Sequence, residues 1–469
     1  MSATSPAVPP TPAGDLTWTP AWKIREMVGR REISPLEVTE HFLSRIEALE
    51  PVLHAFRTFD PEGARRQARR ATDAVARGDA LGPLHGIPIS IKEHINVAGL
   101  PNWTITAQGG TGVAAADAIL VERLRRAGAI IVGTTIMPGV GTDPTMPDLA
   151  NHPRNPWDTA RIPGTSTAGG AASVAAGMTP LTIGSDGAGS VRLPAAMSGI
   201  IGFHTSEGRV PAVDYEAPVV TQGGSTGPLA RNVRDAAIVM QAIAGPDGRD
   251  PFVIRTAAPD YLTGLDDGVS GLRLAWTDDF GFAAEHAVEE TPDVVTAIRD
   301  AASRFVELGA KVEAADESWE DYWPAFTAMT SAYGPPLTVV AFAASHTSDS
   351  LQAGQELYGR NWDRFERVFE RHDLLLSPTL QFTAPTVAEW DVFCKRTDHR
   401  RSNFMATYGT YTHLFNIYGY PAVSVPCGFL HGRPIGLQIV GRPHQEALIL
   451  RAASAFLGGL SVEPPPAFA

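Results

Sequence analysis

The sequence predicts an α/β fold, and three observations carry that prediction. Helical patterns that stop at glycine are followed closely by short, β-branched apolar runs, twice in succession. The 469 residues are 44% hydrophobic, enough to bury a large core. No long polar linker separates a helical part from a strand part, so the elements share one architecture.

Taken in order, Met1 to Gly14 is rich in proline and alanine, and residues 1–16 read as a flexible tail. Ser34-Pro35-Leu36-Glu37 forms a capping box with proline at the first helical position. Asp60-Pro61 opens a second, arginine-rich helix that stops near Gly78. Ile87 to Ile91 is an apolar strand ending in Lys92. Val121 to Ala127 reads as a helix ending at Gly128, before a buried strand from Ala129 to Gly133. Ala168 to Ala176 followed by Leu181-Thr182-Ile183 repeats that order, and Val191 to Ala196 is a helix start. Thr291-Pro292 starts a helix that runs to Gly309, Lys311-Val312-Glu313 follows it, and Leu374 to Leu376 is a further buried strand. No internal repeat is evident.

Composition narrows the function classes. A formal net charge of −13 argues against a nucleic-acid footprint. No run is long and apolar enough for a membrane span, and the amino terminus lacks the pattern of an export signal, so a cytoplasmic protein is expected. Cys394 and Cys427 give no disulfide framework, and no closely spaced Cys/His set points to a metal; no cofactor is expected.

The chemistry concentrates in two places. Gly164-Thr165-Ser166-Thr167-Ala168-Gly169-Gly170 precedes a helix, and Ser185-Asp186-Gly187-Ala188-Gly189-Ser190-Val191-Arg192 precedes another. Glycines permit backbone conformations in which several N–H groups converge, and the first turn of a helix adds its orphan donors. Ser190 then sits where negative charge is welcome, as acyl transfer requires of a hydroxyl that attacks a carbonyl. The chain's only lysines are Lys23, Lys92, Lys311 and Lys395, and Lys92 alone ends an apolar strand. A desolvated lysine can lose its proton near neutrality, which arginine cannot. Lowering a lysine by about three pKa units costs roughly 4 kcal/mol, within reach of burial.

With these residues, the chain resembles the amidase signature hydrolases. The resemblance extends through Pro88-Ile89-Ser90-Ile91-Lys92-Glu93, Arg154-Asn155-Pro156-Trp157-Asp158 and Gly227-Pro228-Leu229-Ala230-Arg231. It returns at Gly419 to Pro426 and Gly436 to Pro443, while the segment from about Asp250 to Leu375 matches only in outline. It implies an amidase signature fold, a large twisted mixed β-sheet flanked by helices on both faces. A single amidase domain over 17–469 is expected: N-terminal helices at 17–80, a catalytic core at 81–245, a variable substrate-pocket segment at 250–375, and a return to the core at 376–469.

Residue by residue, the resemblance implies Ser190 as nucleophile, Ser166 as a bridging serine preceded by a cis peptide bond, and Lys92 as the base. The backbone N–H groups of Gly187, Ala188, Gly189 and Ser190 would form an oxyanion hole whose donors are typically worth about 3 kcal/mol each. Asp186 and Arg192 would pair to hold that loop. Three positions depart from the family pattern. Thr165 stands where glycine is common, Ala188 replaces a usual glycine and is expected at ordinary negative φ, and His204-Thr205 replaces a common Lys-Pro pair, His204 reading as a packed or surface histidine.

For the substrate, Thr135-Ile136-Met137-Pro138-Gly139-Val140-Gly141 carries no charge, and Ile136, Met137, Gly141 and Tyr333 are the pocket candidates. Trp319, Tyr322, Trp323 and Phe326 could join them, although helical aromatic stripes usually face a core. The expected substrates are neutral carboxamides, carbamates (as in the urethanase members) and activated esters. The competing reading is a component of a glutamine-dependent tRNA transamidation complex. The expected partner is a small-molecule amide or carbamate, without nucleic acid or membrane, and a homodimer is left open.

Overall fold

Residues 15–102, 112–138, 151–212, 224–322, 348–394, 407–458, 462 and 464–468 are described by a computed structural model. The capping signals act as read. In the helix Pro35–Leu53, Ser34 Oγ accepts from the Glu37 N–H at 3.2 Å while the Glu37 carboxylate accepts from the Ser34 N–H at 2.8 Å. Pro61–Arg77 begins with Asp60 accepting from the Gly63 N–H and ends at Gly78 with φ 79°, a left-handed conformation that glycine adopts freely. The helices Ile119–Arg126 and Ala168–Ala175 each lead into a strand. The helix expected from Thr291 to Gly309 is instead two, Thr291–Ala302 and Arg304–Glu307, divided at Ser303.

Eleven strands form one mixed sheet. They are β1 (Phe56–Phe59), β2 (Pro88–Lys92), β3 (Ile130–Thr135), β4 (Leu181–Asp186), β5 (Ile201–His204), β6 (Ser225–Ala230), β7 (Arg273–Trp276), β8 (Lys311–Ala314), β9 (Leu374–Pro378), β10 (Ala422–Leu430) and β11 (Arg433–Val440). Their order is β1-β3-β2-β4-β6-β5-β10-β11-β9-β7-β8. Parallel pairing joins β2 to β3 and β4, and β7 to β8 and β9; the remaining pairs are antiparallel. Every residue of β2, β3, β5, β6 and β9 is buried, as in strands covered on both faces. The fold is therefore α/β, with helices packed on a large mixed sheet.

The order of strands tells how distant segments meet. The C-terminal pair β10 and β11 inserts between β5 and β9, so the strands drawn from 250–375 join the sheet through β11. β2 and β4 are parallel neighbours with Ile91 opposite Ile183. One step further, Lys92 and the Gly184-Ser185 end of β4 meet at the carboxyl ends of adjacent strands, where open α/β sheets place their ligand crevices. Residues 1–14 of the expected tail lie outside the described residues. No helix among those described is long and apolar enough to cross a membrane.

Candidate active site

Lys92 is fully buried, and its Nζ lies 2.8 Å from Ser166 Oγ, 3.0 Å from the Ser185 carbonyl oxygen and 3.0 Å from Ser185 Oγ. All three partners are uncharged. Burial pushes the amine down to about 7, against weaker upward pulls from Asp186 and Glu93. These three oxygens can take the three N–H bonds of an ammonium; once the proton is lost, two N–H bonds to the Ser185 oxygens leave the lone pair for the Ser166 hydroxyl. Ser185 was not singled out from the sequence. The available signal was its place two residues beyond Ile183 on the strand beside β2.

Ser166 follows a cis peptide bond from Thr165. Gly164 must be glycine here, because its φ is 92° and a Cβ would come within 2.6 Å of the Pro194 Cα. The Ser190 carbonyl accepts from the Thr167 N–H at 3.1 Å, bringing the loop of Ser190 against the residue that follows Ser166. Both serines are partly exposed, while the lysine behind them is sealed from solvent.

The loop from Asp186 to Arg192 is built around a buried ion pair. Arg192 donates through Nε to Asp186 Oδ2 and through Nη2 to Oδ1, both at 3.0 Å, and neither side chain is exposed. The Asp186 carboxylate also accepts from the backbone N–H groups of Gly189 at 2.6 Å and Val191 at 3.2 Å, and from the Asn416 amide at 2.9 Å. Burial alone would raise Asp186, but Arg192 and these hydrogen bonds hold its carboxyl far below the usual carboxylate range. Arg192 is satisfied further by Gln438 Oε1 at 2.7 Å and Asn416 Oδ1 at 2.5 Å.

This arrangement corrects the expected oxyanion hole. The Gly189 N–H is already given to Asp186 in a local side-chain turn, so it is not free for another acceptor. Among the described residues, the N–H groups of Gly187, Ala188 and Ser190 have no such acceptor. Gly189 takes a φ of 116°, and a Cβ there would stand 2.2 Å from Thr412 Oγ1. Ala188 avoids positive φ, as its methyl requires. At exposed Gly187 a Cβ would meet nothing within 4 Å, so this side of the loop faces open space.

A match to the amidase family model covers residues 37–335 and 333–450. The chain belongs to the amidase family. An acylamidase of Rhodococcus erythropolis is 32% identical over 463 residues, spanning 94% of this chain and 95% of the relative. A glutamyl-tRNA(Gln) amidotransferase subunit of Moorella thermoacetica is 32% identical over 487 residues, spanning 94% and 96%. The crystal structure of a bacterial aryl acylamidase of the amidase signature enzymes superposes with a TM-score of 0.79 at 28% identity, covering 95% of this chain and 96% of that one. The protein is an amidase-signature hydrolase acting on carbon–nitrogen bonds.

Two buried histidines near this centre are held well below the ordinary imidazole range. Burial, then the charge of Lys92, pushes His94 down to about 3. Burial and Arg192 push His204 equally far; it is packed rather than on the surface, its Nδ1 2.6 Å from Ser225 Oγ and 3.8 Å from Asp186. No group of three or more metal-ligating side chains occurs among the described residues.

The apolar loop after β3 is anchored by a charged neighbour. Ile136 is buried, and the Met137 N–H donates to the Glu93 carboxylate, which is itself buried and paired with Arg57 at 2.6 Å. A segment without charges of its own is thus held by a carboxylate from β2's end. Trp319 and Tyr322 belong to the core, packed with Phe280, Phe365 and Tyr418, rather than to a cavity wall. Gly141, Trp323, Phe326 and Tyr333 lie outside the described residues.

Proposed function

We propose that this amidase cleaves neutral carboxamides, aryl or alkyl carbamates and activated esters through an acyl-enzyme on Ser190. The observation that carries the proposal is the 2.8 Å contact between a fully buried Lys92 Nζ and Ser166 Oγ. Neutral Lys92 takes the Ser166 proton as Ser166 takes that of Ser190, and Ser190 Oγ bonds to the substrate carbonyl carbon. The carbonyl electrons move to oxygen, where the N–H groups of Gly187, Ala188 and Ser190 are the available donors. The carbonyl re-forms, the C–N or C–O bond breaks, and the relay returns the proton to the departing amine or alcohol. Water then attacks the acyl-enzyme, giving its proton to the same relay and releasing acid and free Ser190. The acylamidase relative and the aryl acylamidase neighbour support acyl amides as substrates; the carbamate reading rests on the shared carbonyl chemistry.

A second reading, a component of a tRNA-dependent amidotransferase complex, is favoured by the similarity to the glutamyl-tRNA(Gln) amidotransferase relative. The net charge of −13 weighs against it. One panel separates the two: matched anilide, aryl carbamate and aryl ester substrates given to the purified parent, Ser190→Ala and Lys92→Ala proteins. Rapid hydrolysis by the parent alone supports the hydrolase, and activity that appears only with partner proteins supports the complex. Ser190→Ala is expected to lose at least about 10⁴-fold on all three substrates. Lys92→Ala is expected to lose about 10²- to 10⁴-fold on the anilide and markedly less on the ester, whose leaving group needs no returned proton. A Ser190→Ala protein as active as the parent would end the nucleophile assignment.

A further inference from the structure

We infer that Tyr408, Thr412 and Asn416 are positioning residues that hold the two halves of the active site, the bridging-serine turn and the oxyanion loop, in register from one short helical segment. The inference rests on the proposed Ser190–Ser166–Lys92 reading. Residues 407–409 are helical, 410–412 form turns, and His413–Ile417 is helical again. Steps of four residues along such a stretch put side chains on one face, and each of these three reaches a different part of the centre.

Tyr408 is buried and grips the backbone just before Ser166. Its hydroxyl accepts from the Thr165 N–H at 2.6 Å and lies 3.3 Å from the Thr165 carbonyl, to which it donates. Its ring packs against Trp390 at 5.3 Å between centroids, in the apolar cluster that also holds Ala188 and Leu193. Thr412 Oγ1 donates to the Ala188 carbonyl at 2.7 Å, fixing the peptide whose N–H is the Gly189 donor to Asp186. Asn416 donates both to the Asp186 carbonyl at 2.8 Å and to its carboxylate, and accepts from Arg192. None of the three touches the reacting atoms. They fix the backbone that carries them, and a misplacement of about 1 Å in such a scaffold can cost about 10²-fold.

The two grips should fail differently. Loosening Thr165 disturbs the proton relay at Ser166, which matters most when a poor leaving group must be protonated. Loosening Ala188 disturbs oxyanion stabilisation, which every carbonyl substrate needs.

The test is kcat and KM for Tyr408→Phe and Thr412→Val on an anilide and an aryl ester with the same acyl group, with melting curves alongside. Tyr408→Phe is expected to lower kcat on the anilide about 10-fold and on the ester less than about 3-fold. Thr412→Val is expected to lower kcat on both substrates alike by about 10-fold or more, with KM nearly unchanged, and Thr412→Ser to restore it. Should Thr412→Val not fold, Thr412→Ala removes the same hydroxyl with less bulk and must give the same pattern. Parent-like kcat in folded variants, or the same loss on both substrates from both of them, overturns the inference. Full activity in Ser190→Ala sinks the underlying reading instead. Complete loss there, combined with parent-like Tyr408→Phe and Thr412→Val, sinks only the positioning role.

Discussion

Lys92 and Asp186 sit at the ends of neighbouring parallel strands, both without solvent exposure, and yet one is pushed toward its neutral form while the other stays charged. Lys92 is given only neutral oxygens, so desolvation prevails and its amine falls to about 7. Asp186 is given a bidentate guanidinium, backbone N–H groups and the Asn416 amide, and stays ionised. Equal burial therefore does not decide protonation; the partners do. One buried group meets only neutral partners and loses its charge readily, while the other is fully paired and keeps it.

The contrast can be broken most severely on the scaffold side. Arg192→Leu leaves the Asp186 carboxylate buried without its countercharge, and a stability loss of about 3–5 kcal/mol is expected, read as a lower denaturant midpoint. A loss under about 1 kcal/mol would mean that the pair does not carry the loop. A finer change on the base side is Ser185→Ala, which removes the Oγ contact at 3.0 Å from Nζ. That acceptor favours the charged amine, so its loss should lower the Lys92 pKa further and move the inflection of kcat/KM toward acid by about half a pH unit. A shift toward alkali would show that the Ser185 hydroxyl donates to the amine instead.

Much of this was legible from local signals. The Ser34–Glu37 box, Asp60-Pro61 with Gly78, and the apolar run into Lys92 each encode their own conformation within a few residues. The lysine's rarity and its place at a strand end pointed at the centre without any contact being known. What the sequence did not disclose depends on partners far along the chain. Asn416 meets Asp186 across 230 positions, and Tyr408 meets Thr165 across 243. The insertion of β10 and β11 between β5 and β9 is likewise a matter of tertiary pairing. The hold on Met137 is hidden for the same reason, since the carboxylate that binds its N–H comes from Glu93. The count of oxyanion donors failed for a subtler one: Asp186, only three residues before Gly189, competes for the same N–H.

Because the chain holds so few lysines, the amine at the centre of this account can be observed directly. With isotope-labelled lysine, the side-chain resonances of Lys92, assigned by their absence in Lys92→Ala, can be followed as pH is raised. Lys92 is expected to lose its proton with a midpoint of about 7, and kcat/KM to rise with pH through the same midpoint because only the neutral amine accepts the Ser166 proton. A Lys92 that stays protonated up to the ordinary lysine range near 10.5, in an enzyme already fully active at neutral pH, would contradict it.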